Sequence, residues 1–153
     1  MAPLFALVVT VSVVALAALL GMVYRLRNGR VRPVRRVVHE IVSPADLPGS
    51  PAFGDRFTLL QFSTELCSPC RQAARVLGAA ATEPGIAHIE VDLTRDAELA
   101  RRFNILRTPT TLVLDRTGAV RGRIGGAPRP AELREFLHDV LGDARPNSEV
   151  AHV

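Results

Sequence analysis

The chain has 153 residues, two cysteines, no tryptophan and a net charge of +4. That length allows one domain and one further segment rather than several domains. All 19 basic residues are arginine, so Schiff-base chemistry and lysine general bases are excluded.

From Ala2 to Tyr24 there is no charged side chain, and Leu, Val and Ala dominate. A helix of that length reaches ~34 Å, enough to cross a ~30 Å hydrocarbon core. A cleaved signal peptide would place positive charge before the apolar run and a small-residue site after it. Here the first charge is Arg25 and the run ends in GMVYRLR, so residues 2–24 predict a transmembrane anchor. A buried core helix is disfavoured, because the run has no polar face.

Arg25, Arg27, Arg30, Arg32, Arg35 and Arg36 follow, with no acidic residue before them, and the remainder holds 13 arginines against 15 acids. The pI of about 10.3 therefore reflects a juxtamembrane belt suited to anionic lipid headgroups, not a groove for phosphates, and no nucleic-acid partner is expected. Positive flanks tend to stay in the cytoplasm. The rule places the N-terminus outside and the domain in the cytoplasm.

Residues 25–54 read as an Arg-rich juxtamembrane segment and linker. Within it VVHEIV (37–42) predicts an edge strand. SPADL predicts a short helical turn, with Ser43 as cap and Pro44 at its first position. FTLLQF (57–62) is a nearly continuous apolar run, the pattern of a central strand covered on both faces. Cys70, Ala73, Ala74 and Leu77 then recur at helical spacing. IAHIEVD (86–92) predicts a second buried strand, TRDAELARRF (94–103) a short helix with an acidic start and a basic end, and TTLVLD (110–115) a third core strand. RTG turns that strand into a hairpin partner at 119–124. From Pro130 a last helix carries Leu133, Phe136, Leu137, Val140 and Leu141 on one face, with Gly142 as its stop. Residues 143–153 read as a flexible tail. The order β-α-β-α-β-β-α predicts an α/β domain, 55–142, with parallel early crossovers, a final hairpin, and a central mixed sheet with helices on both faces.

Both cysteines fall in the stretch FSTELCSPCRQAARVL, where a buried strand hands over to a helix. A structural zinc site needs four ligands. Cys67 and Cys70 supply two, and His39, His88, His138 and His152 stand at no ligand spacing to one another, so no metal is expected. A structural disulfide would close only a tiny loop and constrain the unfolded chain little. A redox pair has a mechanism. Cys67 at a helix N-terminus is stabilised as thiolate by the exposed N–H groups and the positive dipole end. Cys70, one turn on, is placed to attack a mixed disulfide, and Pro69 fits the first turn. ILRTPTTLVLD puts Pro109 directly before a core strand. Either Thr108–Pro109 is cis, with Thr108 beside the cysteines to pair with a client chain, or Pro109 is an ordinary trans proline at a strand start. Gly125 and Gly126 either admit a client backbone or simply end the strand. Glu65 reads as a solvated surface charge.

The strand TLLQF, the motif CSPC, TPT about forty residues later and the GG pair before a last amphipathic helix together resemble the thioredoxin family, over roughly residues 55–141. The resemblance implies the thioredoxin fold, here preceded by one transmembrane helix. It implies Cys67 as attacking thiol, Cys70 as resolving thiol and Pro109 as a cis proline, with Ser68, Pro69, Thr108, Pro109 and Gly125 as the substrate-binding surface. No cofactor beyond the Cys67–Cys70 disulfide is implied. The departures are specific. Gln61 stands where typical members carry a buried acid, Leu66 replaces the tryptophan before the first cysteine, Ser68 replaces glycine, and Glu90 takes the place of the usual lysine on the next strand.

The expectation is a membrane-anchored thiol–disulfide oxidoreductase. The proline of C-x-P-C resembles the reducing members. It acts as a monomer on disulfide-containing protein clients and draws electrons from a donor the sequence does not identify. Two alternatives stand beside it. One is an extracytoplasmic helper in cytochrome maturation or oxidative folding, as several groups of anchored thioredoxin-like proteins are. The other is a weakly catalytic client-binding adaptor, motivated by the missing acid and missing aromatics.

Overall fold

The computed structural model of the chain describes residues 2–27, 29–33 and 41–143. The first helix, α1, spans Ala2–Arg27. Its stretch Pro3–Tyr24 is long and apolar enough to cross a membrane, and none of it is buried against the rest of the chain. A signal sequence near an N-terminus has the same character. Its Thr10 and Ser12 side chains are satisfied within the helix: Thr10 donates to the Ala6 carbonyl and Ser12 to that of Val8, each at 2.9 Å.

Five strands form one sheet: β1 (Val31–Pro33), β2 (Phe57–Ser63), β3 (Ile86–Asp92), β4 (Thr110–Asp115) and β5 (Val120–Gly125), in the order β1-β5-β4-β2-β3. Three more helices flank it: α2 (Ser68–Ala80), α3 (Ala97–Arg102) and α4 (Pro130–Asp143). All seven residues of β2 are buried, as its near-continuous apolar run requires of a strand covered on both faces. Alternation along the strands sorts the core in two. Phe57, Leu59, Val113 and Ile124 meet Ala73 and Leu77 of α2 and Leu133 and Leu137 of α4. On the opposite face Leu60, Phe62, Leu112 and Leu114 meet Leu99 and Phe103, with Val42 and Leu47 of the preceding loop. This is the mixed sheet with helices on both faces that the element order predicts.

Four details differ from the sequence reading. β2 and β3 are parallel, but β4 runs antiparallel to β2, so only the first of the two early units is a parallel crossover. The six residues of α3 span only ~9 Å. A return along seven-residue β3 would need ~23 Å. The chain therefore turns back from the same end of the sheet. Second, α3 starts later than Thr94, because the Asp92 carboxylate accepts from the Thr94 N–H and hydroxyl and holds a turn there. Asp96 then caps the helix by accepting from the Leu99 N–H at 2.8 Å. Third, β5 is shifted by one residue, since Ala119 belongs to the Asp115–Gly118 turn and bonds back to Asp115. Gly118 in that turn has φ +81°, and a Cβ there would stand 2.1 Å from the Val42 carbonyl oxygen, so only glycine fits. Fourth, α4 runs through Gly142 to Asp143.

The edge strand lies earlier than expected. Val31, Arg32 and Pro33 pair antiparallel with Ile124, Arg123 and Gly122 of β5, so the segment read as a linker supplies a strand. Most of the 37–42 strand falls outside the described residues. Of its end, Ile41 forms an isolated bridge with Ala119 and Val42 is buried, its N–H donating to the Gly118 carbonyl at 2.9 Å. The predicted turn forms at Pro44–Asp46, with the Ser43 N–H donating to Asp46 Oδ2 at 2.8 Å. The predicted tail beyond Asp143 lies outside the described residues.

Phe62 is fully buried, with its ring centroid 5.2 Å from that of Phe103. Phe62→Ala should cost about 3–5 kcal/mol, whereas Leu66→Ala, at a side chain 95% exposed, should stay within about 0.5 kcal/mol of the parent. Urea unfolding of the two variants checks this. Equal midpoints would mean that β2 is not the centre of the core.

Candidate functional site

β2 ends at Ser63, and α2 begins at Ser68 with Cys67 as its N-cap. Cys67 and Cys70 form a disulfide, S–S 2.02 Å and Cα–Cα 5.2 Å. The Cys70 N–H donates to Cys67 Sγ at 3.2 Å and to the Cys67 carbonyl at 3.1 Å. The cap is thus the sulfur itself, and the amide that satisfies it in the disulfide is placed to stabilise a Cys67 thiolate after reduction. Cys67 is half-buried and Cys70 only 2% exposed. Of the two sulfurs, Cys67 is the one a partner could reach, while Cys70 is reached only by its neighbour. Ser68 and Pro69 are exposed between them.

The loop before β4 closes on the same site. The Thr108–Pro109 bond is cis, which settles between the two conformations the sequence leaves open. The Thr108 and Thr64 hydroxyls lie 3.2 Å apart, tying this loop to the segment that leads into Cys67. Pro109 is buried, and its carbonyl accepts from the Gly126 N–H at 2.8 Å. Gly126 has φ +93°, the region open to glycine. The neighbouring Gly125 is already engaged. Its carbonyl accepts from the Gly29 N–H at 2.8 Å and from Arg107 Nη2 at 3.4 Å, and a Cβ on it would meet the Arg107 guanidinium at 2.3 Å. Leu66 and Leu106 are 95% and 88% exposed, so the two loops that frame the disulfide each present an apolar side chain to solvent.

Beneath Cys70 lies Gln61, fully buried. Its Nε2 donates to the Cys70 carbonyl at 3.1 Å and to Glu90 Oε1 at 3.2 Å. A carbonyl oxygen only accepts, so the amide NH2 must face Cys70, and Gln61 Oε1 is left to accept from His88 Nε2 at 3.0 Å. His88 therefore carries a proton on Nε2. The parallel register, Leu59 beside His88 and Gln61 beside Glu90, puts all three groups on one face. Opposite Gln61 in the β2–β4 register is Thr111, also fully buried, whose hydroxyl meets no protein partner among the described residues. Burial lowers the pKa of His88 below its ordinary 6.5, with the Glu90 charge opposing in part.

Sequence reasoning places Cys67, Cys70, Ser68, Pro69, Thr108, Pro109 and Gly125, and the structure brings all of them to one end of the sheet. It misses His88, weighed there only as a metal ligand, and the exposed Leu106 and Arg107. The signal for His88 is the shared period of two: once β2 and β3 are taken as parallel neighbours, a residue flanking Gln61 on the same face is either 88 or 90. Among the described residues no group of His, Cys, Asp and Glu could hold a metal ion.

The family model Thioredoxin matches residues 52–139, more than half of the chain, and the chain belongs to the thioredoxin family. It is 35% identical over 92 residues to putative thioredoxin 2 of Streptomyces coelicolor, covering 60% of this chain and 65% of that protein, just under two thirds of that relative. It is 37% identical over 87 residues to the thioredoxin of Mycolicibacterium smegmatis, covering 54% of this chain and 77% of that protein. The crystal structure of thioredoxin from Trypanosoma brucei brucei matches with a TM-score of 0.50 at 27% identity, over 59% of this chain and 79% of that one. Family membership and the Cys67–Cys70 pair identify a thiol–disulfide oxidoreductase.

A histidine held neutral by burial binds fewer protons folded than unfolded, so stability rises with pH across its titration. The contribution of His88 should be complete above pH 6.5 and decline as pH falls below it. The Asp46 pKa is lowered first by the Ser43 N–H, and the Asp92 pKa first by its Thr94 hydroxyl bond; these contributions are lost only as pH falls below 3.8. Urea midpoints of oxidised parent and His88→Gln between pH 7.5 and 5 should therefore converge as pH falls. A constant gap across that range would show that His88 does not titrate in the native state.

Proposed function

We propose that the chain is a membrane-anchored disulfide reductase, held by α1 with its domain on the cytoplasmic side, and that it acts as a monomer on protein disulfides. The observation that carries the activity is the half-buried Cys67 sulfur at the N-terminus of α2 with buried Cys70 bonded to it. In the reduced state the Cys67 thiolate attacks a client sulfur, and the client's other sulfur leaves as thiolate. The Cys70 thiolate then attacks Cys67 Sγ, releases the second client sulfur and restores the Cys67–Cys70 disulfide. Two electrons pass to the client, two protons end on its thiols, and a separate electron donor must reduce the pair again. The pair itself carries the electrons, so the proposal needs no further cofactor.

The client backbone is read as lying along the cis-proline loop at Thr108 and Pro109, beside Ser68 and Pro69, in the manner of an added strand. Gly125 is assigned to the rim of that surface rather than its floor, because its carbonyl is engaged by Gly29 and Arg107. Gln61 cannot take the proton of Cys70 as a carboxylate would. The titratable groups bonded to it are His88 and Glu90.

Membrane anchoring rests on α1, whose mid-helix hydroxyls, Thr10 and Ser12, are bonded inside the helix, as hydrocarbon demands. Sidedness rests on the arginine belt.

Cys67→Ser should abolish reduction of a protein disulfide, and Cys70→Ser should accumulate a mixed disulfide visible on a non-reducing gel. Full activity in both variants would remove the mechanism. Because both thiols are in the site, a membrane-impermeant maleimide applied to reduced intact cells reads topology directly. Labelling only after permeabilisation is the expected result, and labelling of intact cells would move the domain outside.

A further inference from the structure

The anchor enters the domain at the end of the sheet that carries the disulfide. The Gly29 N–H bonds to the Gly125 carbonyl at 2.8 Å, and Val31 pairs with Ile124. Gly125 pairs with Thr110, the residue after the cis proline, and Thr110 pairs with Phe62 at the end of β2. The start of β1, the end of β5, the start of β4 and the end of β2 therefore share one edge of the sheet, and Cys67 follows from the last of them. At ~4.8 Å per strand, β1 and β2 stand only ~14 Å apart along that edge.

The covalent path is as short. α1 runs to Arg27, and one residue separates Arg27 from Gly29, so their Cα atoms lie at most ~7 Å apart. From Tyr24, the end of the apolar stretch, to Arg27 the helix rises ~4.5 Å. Gly29 is thus no more than ~12 Å from the end of the hydrocarbon span, close to the ~5–7 Å depth of a headgroup layer. Exposed Arg30 just before β1, exposed Arg32 on it and exposed Arg107 at the cis-proline loop put positive charge on the β1 side of this end, exposed Glu65 and Asp92 lie on its β2–β3 side, and exposed Leu66 and Leu106 give it apolar surface.

Resting on the anchored reading above, we propose that the dithiol end of the domain faces the bilayer, and that the clients are disulfides of membrane-bound proteins lying at or just beyond the headgroup layer. A disulfide deep in the aqueous phase would have to be met by an active site turned away from it. A disulfide next to the lipid is within reach of Cys67 without displacement of β1.

The test uses full-length Cys70→Ser, whose single thiol, Cys67, is labelled with a bimane fluorophore in anionic vesicles. A second variant also carries about 12 Gly/Ser residues inserted after Asn28, adding ~19 Å of root-mean-square reach. Vesicle flotation comes first. Failure to float would overturn the anchor, and the orientation with it. In floated protein, lipids spin-labelled at the headgroup should quench the parent about threefold more than the insertion variant. Equal, weak quenching in both would overturn the orientation and leave the anchor standing. Capture of lipid-tethered disulfide peptides by unlabelled Cys70→Ser should favour a short tether over a long one by about threefold, and the insertion should erase that preference. A preference for the long tether would overturn the client assignment.

Discussion

The burial of β2 is the constraint from which the site follows. Its seven residues are shielded on both faces and paired on both edges, parallel to β3 and antiparallel to β4. A strand held from four sides has no freedom to slip, because a one-residue shift would exchange Phe57 and Leu59 with Thr58 and Leu60 between two different helix layers. The point at which the chain leaves the sheet is therefore fixed, and Cys67, four residues beyond Ser63, is fixed with it. The Thr64–Thr108 hydroxyl contact then brings in the cis-proline loop at the same height. The active sulfur is mobile in the chemical sense only: its backbone is set by the best-buried strand in the molecule.

The polar floor under Cys70 is consistent with that rigidity. A carboxylate buried at position 61 would carry a large desolvation cost unless protonated or paired. Gln61 avoids it, since a neutral amide can satisfy both its ends, donating to the Cys70 carbonyl and Glu90 and accepting from His88. What the amide gives up is proton transfer at the site of the missing acid. The chain keeps titratable groups nearby, but one bond further from the sulfur, and joins them to it through a side chain that orients rather than exchanges. The helix around Cys70 is thereby held by a hydrogen bond that involves neither sulfur.

Much of this was legible in the residues because the signals are local. CSPC lies at a strand-to-helix handover that hydropathy marks on both sides, TPT opens an apolar strand, and GG closes another; each keeps its meaning without knowledge of what lies across the sheet. What stayed hidden depends on pairing. His88 acquires a role only through the β2–β3 register, and β4 turns antiparallel because α3 is too short to return, which TRDAELARRF conceals by looking longer than the helix it forms. VRP at 31–33 has no alternation, three residues and a proline, so nothing in its own pattern marks a strand. Its partner marks it, for Pro33 lies on an outer strand, where a missing N–H is tolerated.

That outer strand links α1 to the sheet. Without β1, the free edge of β5 would present unpaired backbone groups, a template for association with another chain. The chain covers it with the residues that follow α1, and so converts a linker that could have been flexible into part of the sheet. Three paired residues and the Gly29 bond are a small contact against an ordering cost of ~1–2 kcal/mol per residue. Val31 adds packing against the α2 and α4 layer. Edge protection and the proposed anchoring thus reinforce one another. In the proposed arrangement, a helix fixed in a bilayer keeps β1 in place, and β1 in place holds the disulfide end of the domain close to where the helix emerges.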